Sequence, residues 1–245
     1  KYTPAYAAAL TTVSSVIGPI MPPSIPLVLY ALVSDTSVGY LFLAGVIPGL
    51  LLGIVQSGLI AFTAKRRNFP VEERVPLSAL PRITWEAFPA LMMPVILLGC
   101  LYGGITTPTE AAAVAAAYAL LISALLYRSV RLKDVYHSLA SSAKVTVSIG
   151  MLIAGALVFN FVITSENIPK TLSAFLMTHE LSPLVFLLLV NILLLVLGCF
   201  LEGTTIILVI LPVLLPTAKA LGIDPVHFGV MAVTNVAGSL LGTRL

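Results

Sequence analysis

Ile17-Gly18-Pro19-Ile20-Met21-Pro22-Pro23-Ser24-Ile25-Pro26 interrupts an apolar run that extends from residue 5 to residue 33. Prolines 19, 22, 23 and 26 remove four backbone donors, and with Gly18 they disfavour a continuous helix. Irregular backbone at membrane depth is tolerated only where it is buried in protein or lines a wet cavity. The carbonyls freed ahead of the prolines need partners. A hard cation is one natural partner, because such ions take oxygen ligands. Ser14 and Ser15, one turn upstream, add hydroxyl oxygens. A proline kink satisfied by neighbouring helices and water is the other reading. The stretch alone does not choose between them.

The composition supplies the solvent. The chain has 245 residues, of which 59% are hydrophobic and 9% charged, with a mean hydropathy of +1.08. Soluble domains are roughly 45–50% apolar and about 25% charged. So much apolar surface cannot be hidden in a soluble core of this size, so the chain sits in lipid. Disorder, a disulfide scaffold and nucleic-acid binding are excluded. A spanning helix needs about 20 apolar residues, and segments near 41–63, 87–103, 110–127 and 145–163 qualify. Besides 5–33, two more apolar stretches are interrupted. Residues 183–219 break near Glu202-Gly203-Thr204-Thr205, and residues 225–243 run through Thr234-Asn235 and Gly238-Ser239. The expected fold is an all-α integral membrane protein, a multi-span helical bundle with broken helices.

The polar connectors orient it. Loops 64–86 and 128–144 carry most of the basic residues. Residues 166–182 read as an amphipathic helix lying along the interface, with Ile168, Leu172, Phe175 and Leu176 near helical spacing. With the first loop cytoplasmic, eleven of the 13 basic residues fall inside, leaving Lys170 and Lys219 outside. That count requires 183–219 to be a re-entrant hairpin entering from outside and returning there. Two full spans would give the same parity, but each would be short.

Two helix starts are legible. Thr107-Pro108-Thr109-Glu110 has the spacing of a capping box with proline at the first helical position. Asp224-Pro225 offers a second cap. Glu202 is the strongest single residue. A carboxylate following the apolar stretch 193–201 is expensive at bilayer depth and marks a functional site by default. Gly203 permits a tight turn. Thr204 and Thr205 supply hydroxyls and caps for the returning helix. A hairpin tip offers amides to an anion and carbonyls to a cation. A purely structural capping role for Glu202 is the competing reading. Weak internal symmetry pairs Pro4, Ser14-Ser15 and Gly18 with Pro225, Thr234-Asn235 and Gly238, in opposite membrane orientation. Inverted repeats with broken helices are the mark of secondary transporters.

Other residues are bland. His137, His179 and His227 have no metal spacing, so no transition-metal site is expected. Cys100 and Cys199 lie in apolar runs, and Trp85 reads as an interfacial anchor. No nucleotide loop, nucleophile elbow or zinc motif is visible, which argues against an enzyme or an ATP-driven pump.

Residues 17–26 resemble the signature of the large membrane subunit of tripartite ATP-independent periplasmic (TRAP) transporters. So do Leu41-Phe42-Leu43-Ala44-Gly45-Val46-Ile47-Pro48-Gly49 and Gly103-Gly104-Ile105-Thr106-Thr107-Pro108-Thr109-Glu110-Ala111. Leu211-Pro212-Val213-Leu214-Leu215-Pro216 and Gly222-Ile223-Asp224-Pro225-Val226-His227-Phe228-Gly229 follow in family order. The resemblance implies a multi-pass permease of the bacterial inner membrane. It implies an elevator-type carrier with inverted repeats, driven by sodium and needing no cofactor. Such a carrier takes an organic acid, such as a C4-dicarboxylate or sialic acid, from a periplasmic substrate-binding protein. It works with a small membrane subunit. One sodium site would use Ser14, Ser15 and Gly18 with an inner hairpin. The other would use Glu202, Gly203, Thr204 and Thr205 with Thr234, Asn235 and Gly238. Pro22, Pro23, Ser24 and Thr205 would touch substrate.

By position, 1–35 and 183–245 fall to a mobile transport domain, 36–165 to a scaffold, and 166–182 to the interfacial helix. The chain is about half a family subunit, and Leu240-Leu241-Gly242-Thr243-Arg244-Leu245 departs from the family pattern. A fragment is therefore expected, lacking the inner hairpin. Two other functions stay open: a carrier of the same architecture that needs no binding protein, and a non-transporting scaffold subunit.

Overall fold

The computed structural model describes residues 4–66, 76–171, 174 and 182–239. Every regular element among them is helical. Five helices are long and apolar enough to cross a membrane: Val38–Arg66, Leu77–Tyr102, Pro108–Leu126, Leu132–Ser165 and Gly203–Ala220. The chain is thus an all-α membrane protein. We number the helices α1 (Pro4–Ser14), α2 (Ile25–Ser34), α3 (Val38–Arg66), α4 (Leu80–Tyr102), α5 (Pro108–Leu121), α6 (Leu132–Ser165), α7 (Pro183–Gly198), α8 (Gly203–Ala220) and α9 (Pro225–Ser239).

The proline-rich break behaves as its chemistry requires. After α1 a 3₁₀ turn, Ser15–Ile17, ends the first segment. The helix restarts at Ile25 with Ser24 as N-cap. The Ser24 hydroxyl accepts from Leu27 N–H at 3.3 Å and donates to the carbonyl of Pro19. That carbonyl would pair with residue 23 in a helix, and Pro23 has no N–H. Val16 and Ile20 anchor the break by packing with Ala237 of α9 and Leu52 of α3. The approach of α3 depends on glycine. A Cβ at Gly45 would lie 2.7 Å from the carbonyl oxygen of Ile20, and one at Gly49 would lie 2.9 Å from Met21 Sδ.

The directions of three helices follow from their contacts. Tyr30 of α2 donates to the carbonyl of Pro225 at 2.7 Å, while Pro26 shares a cavity with Val236 and Ala237. The start of α2 therefore meets the end of α9, and the two are antiparallel. Between α7 and α9, Phe186 stacks on Phe228 with centroids 6.4 Å apart near the two starts. Asn191 bonds Asn235 midway, and Gly198 packs on Ser239 near the ends. These two helices are parallel, so α8 is the returning arm between them. With α1, α2, α3 and the part of α6 from Ile149 onward, they form one compact unit.

The other unit holds α4, α5 and the beginning of α6. Gly104, with φ +63°, turns the chain between α4 and α5. The expected capping box is present. Thr107 Oγ1 accepts from Glu110 N–H at 3.4 Å, and the Glu110 carboxylate accepts from Thr107 N–H at 2.8 Å. Ala111 and Ala115 are buried, and Tyr118 donates to the Pro89 carbonyl at 3.0 Å.

Several boundaries differ from the sequence expectation. Among the described residues, the connectors placed at 64–86 and 128–144 are largely helical, because α3 runs to Arg66, α4 begins at Leu80 and α6 begins at Leu132. A polar first turn does not prevent a helix: Asp134 Oδ2 accepts from Arg131 N–H at 3.0 Å and helps start α6. Of the helix expected at 166–182, residues 168–171 are helical and most of the remainder lies outside the described residues. The second break expected within 225–243 does not occur in 225–239, where α9 is continuous through Thr234, Asn235 and Gly238. Its start carries the expected cap, with Asp224 Oδ1 accepting from Val226 and His227 N–H at 2.9 and 3.0 Å.

Candidate functional site

Two helix starts and one broken segment meet at a cavity of about 150 Å³. The break contributes Pro19 and Pro26, the α7–α8 tip contributes Glu202, Gly203 and Thr204, and α9 walls it with Val233, Val236 and Ala237. The tip forms because α7 runs out at Gly198 and the chain tightens. Phe200 and Leu201 N–H both donate to the Leu197 carbonyl, at 2.9 and 2.8 Å. Glu202 then adopts extended backbone, φ −67° and ψ 140°, and α8 begins behind it.

Glu202, not a threonine, occupies the N-cap position of α8, and no side chain caps that end. This corrects the expected capping by Thr204 and Thr205. The reason is geometric: both threonines already lie inside the first turn. Thr204 Oγ1 instead donates to Glu202 Oε1 at 3.5 Å. The first amides of α8 therefore receive no capping bond from the Glu202 side chain. The starts of α2 and α8 both lie at this cavity. A helix start carries roughly half a positive charge, and two starts at one spot favour an anion. The Glu202 carboxylate favours a cation.

The Thr234 and Asn235 side chains turn away from the tip. They line a second cavity of about 500 Å³ with Asn191, His227 and Pro48. Asn235 Nδ2 donates to Asn191 Oδ1 at 2.7 Å and to its carbonyl at 3.1 Å. Among the described residues, Asn235 Oδ1 and Thr234 Oγ1 are buried oxygens with no hydrogen-bond partner. Buried polar groups are normally paired, and these two oxygens lie on consecutive residues.

The expected site residues thus separate into groups. Glu202, Gly203 and Thr204 are brought together with the proline break; Thr205 does not line that cavity. Ser14 and Ser15 are exposed and turn back on α1, donating to the Thr11 and Thr12 carbonyls at 3.1 and 2.7 Å. Gly18 is exposed beside Pro19. Pro22 is half-buried, Pro23 is exposed, and Ser24 is buried and engaged as a cap. Gly238 is half-buried, and a Cβ added there would meet nothing within 4 Å. Sequence reading missed Asn191. The available signal was a carboxamide inside the apolar run of α7, since polar residues between membrane helices make cross-helix bonds.

The sequence profile described as "Tripartite ATP-independent periplasmic transporter, DctM component" matches residues 1–242. The "Sialic acid TRAP transporter large permease protein SiaM" of Vibrio cholerae is 41% identical over 241 residues, covering 98% of this chain and 56% of that protein. The "C4-dicarboxylate TRAP transporter large permease protein DctM" of Pseudomonas aeruginosa is 41% identical over 240 residues, with the same shares. The "Isethionate TRAP transporter permease protein DctMQ" of Oleidesulfovibrio alaskensis is 37% identical over 237 residues, covering 96% of this chain and 37% of that protein. The chain spans a little over half the length of the first two relatives.

Proposed function

The chain belongs to the DctM component family of tripartite ATP-independent periplasmic transporters, and from that premise we propose what the complete protein does. It is the large permease subunit of a sodium-coupled carrier in the bacterial inner membrane. It imports an organic acid delivered by a periplasmic binding protein, together with a small membrane subunit. Relatives named for sialic acid, C4-dicarboxylate and isethionate support an acid as substrate, since all three carry anionic groups. The observation that carries the reading is the cavity where the proline break meets the Glu202 tip. Two helix starts there suit a carboxylate.

Sodium suits the oxygens nearby. Glu202 offers a carboxylate at the tip; in the separate cavity against Asn191, Thr234 Oγ1 and Asn235 Oδ1 offer buried oxygens without partners among the described residues. The coupling is differential binding: sodium orders the tip and break, and the ordered amides then bind the acid. Movement of the loaded bundle past its surroundings carries both across. That Thr234 Oγ1 and Asn235 Oδ1 are unpaired among the described residues also speaks against a passive scaffold, which gains nothing from unpaired buried oxygens.

The test is uptake into proteoliposomes. The complete protein is reconstituted with its small subunit and binding protein, with and without an inward sodium gradient. The expected result is uptake that needs both sodium and the binding protein. Uptake with sodium alone would assign a binding-protein-independent carrier. No uptake from folded protein under any gradient would refute the proposal.

A further inference from the structure

Helix α8 is not regular. Residues Ile206–Ile210 form a π-turn, in which Leu211 N–H reaches back to the Ile206 carbonyl. The turn stands one residue beyond Thr205, and Ile207 belongs both to it and to the wall of the tip cavity. Where the turn sits therefore decides where the tip sits. Its Leu208 carbonyl has a particular problem. The α-helical donor for that carbonyl would be residue 212, and Pro212 has no N–H. Leu208 is 1% exposed, so water does not supply the donor either. An orphan carbonyl in such surroundings is costly.

The donor comes from α6. Asn160 Nδ2 reaches across and bonds the Leu208 carbonyl at 3.2 Å. Otherwise α6 holds this region loosely. Ala156 is its one buried residue. A cavity of about 300 Å³ opens between Ile153 and Leu157 of α6, Leu32 of α2, and Leu208 and Pro212 of α8. A loose apolar contact with one polar tether is held in place chiefly by the tether. π-turns inside α-helices are frequent at functional sites.

We propose that Asn160 is a positioning residue for the tip: its amide stands in for the N–H that Pro212 lacks, fixes the π-turn, and so sets where Gly203 and Thr204 lie. The functional meaning rests on the tip cavity being the working site, but the bond and its consequence do not. The experiment is a double-mutant cycle read by hydrogen exchange on the complete protein in lipid nanodiscs. Asn160→Leu keeps the shape and removes the donor. Exchange in the peptide 199–207 should rise about tenfold, with α5 unchanged. Pro212→Ala restores an N–H for the Leu208 carbonyl. In that background Asn160→Leu should change exchange less than about twofold. If Asn160→Leu alone does not accumulate, the double variant should. An equal rise in both backgrounds, a rise spread over all helices, or failure of both variants to accumulate overturns the proposal. Sodium-independent uptake in a protein showing the expected exchange pattern would refute the proposed function and leave the role of Asn160 standing.

Discussion

Gly229→Ala tests the packing on which the site depends. Gly229 lies on α9 directly against the Tyr30 ring of α2. A Cβ placed there would sit 2.1 Å from Tyr30 Cε1 and 2.5 Å from Cδ1. Carbon pairs rest at roughly 3.5–4.0 Å, so ring and helix must separate by about 1.5 Å. Tyr30 is fully buried and its hydroxyl bonds the Pro225 carbonyl at 2.7 Å, so the ring has no free direction of retreat. Overpacking of this kind costs about 1–3 kcal/mol, and losing the hydroxyl bond adds about 1 kcal/mol. Replacing a helical glycine returns about 1 kcal/mol. The net is about 1–3 kcal/mol, or roughly 1–3 °C in Tm for a complete protein nearly twice the length of this chain. The assay is thermal unfolding of the complete protein in detergent at fixed lipid content. Gly238→Ala on the same helix is the control, because a Cβ there meets nothing within 4 Å. It should leave Tm unchanged or raise it. An unchanged Tm for Gly229→Ala, or an equal fall for Gly238→Ala, would refute the reasoning.

Further predictions follow from the site and the caps. Thr204→Val should raise the sodium concentration for half-maximal uptake severalfold, whereas Thr205→Val, which does not line the cavity, should do so less; identical responses would move the site. Thr107→Ala removes the cap of α5 and should lower stability by about 1 kcal/mol, read as a small fall in Tm; no fall would show the capping box to be idle. Cysteines replacing Lys170 and Lys219, both exposed, should be labelled from the periplasmic side, and cytoplasmic labelling of either would sink the hairpin topology.

Local rules of the backbone were readable without a structure. The proline break, the Thr107 box and the Asp224 cap each depend on a few consecutive residues, and each formed as read. The membrane class followed from composition for the same reason: it sums over residues and ignores their arrangement. What stayed hidden depends on distance in space. Gly45 and Gly49 are ordinary helix glycines until Ile20 and Met21 are laid against them. The family resemblance placed Thr234 and Asn235 with Glu202, yet a helix turns about 100° per residue, and their side chains face Asn191 while Val233 and Val236 face the tip.

The prolines show the limit most clearly. Each one announces an unpaired carbonyl four residues before it, so the sequence states the debt but not the creditor. Pro23 orphans the Pro19 carbonyl, and Ser24, five residues away, supplies the donor. Pro212 orphans the Leu208 carbonyl, and the donor is Asn160, 48 residues away on another helix. The first answer is local and could be guessed; the second requires the fold. A membrane chain rich in proline must solve this problem at every one, because lipid offers no donors. Where the solution is a side chain from another helix, that side chain ties the two helices together. Asn160 is such a tie, and it acts on the helix that begins at Glu202.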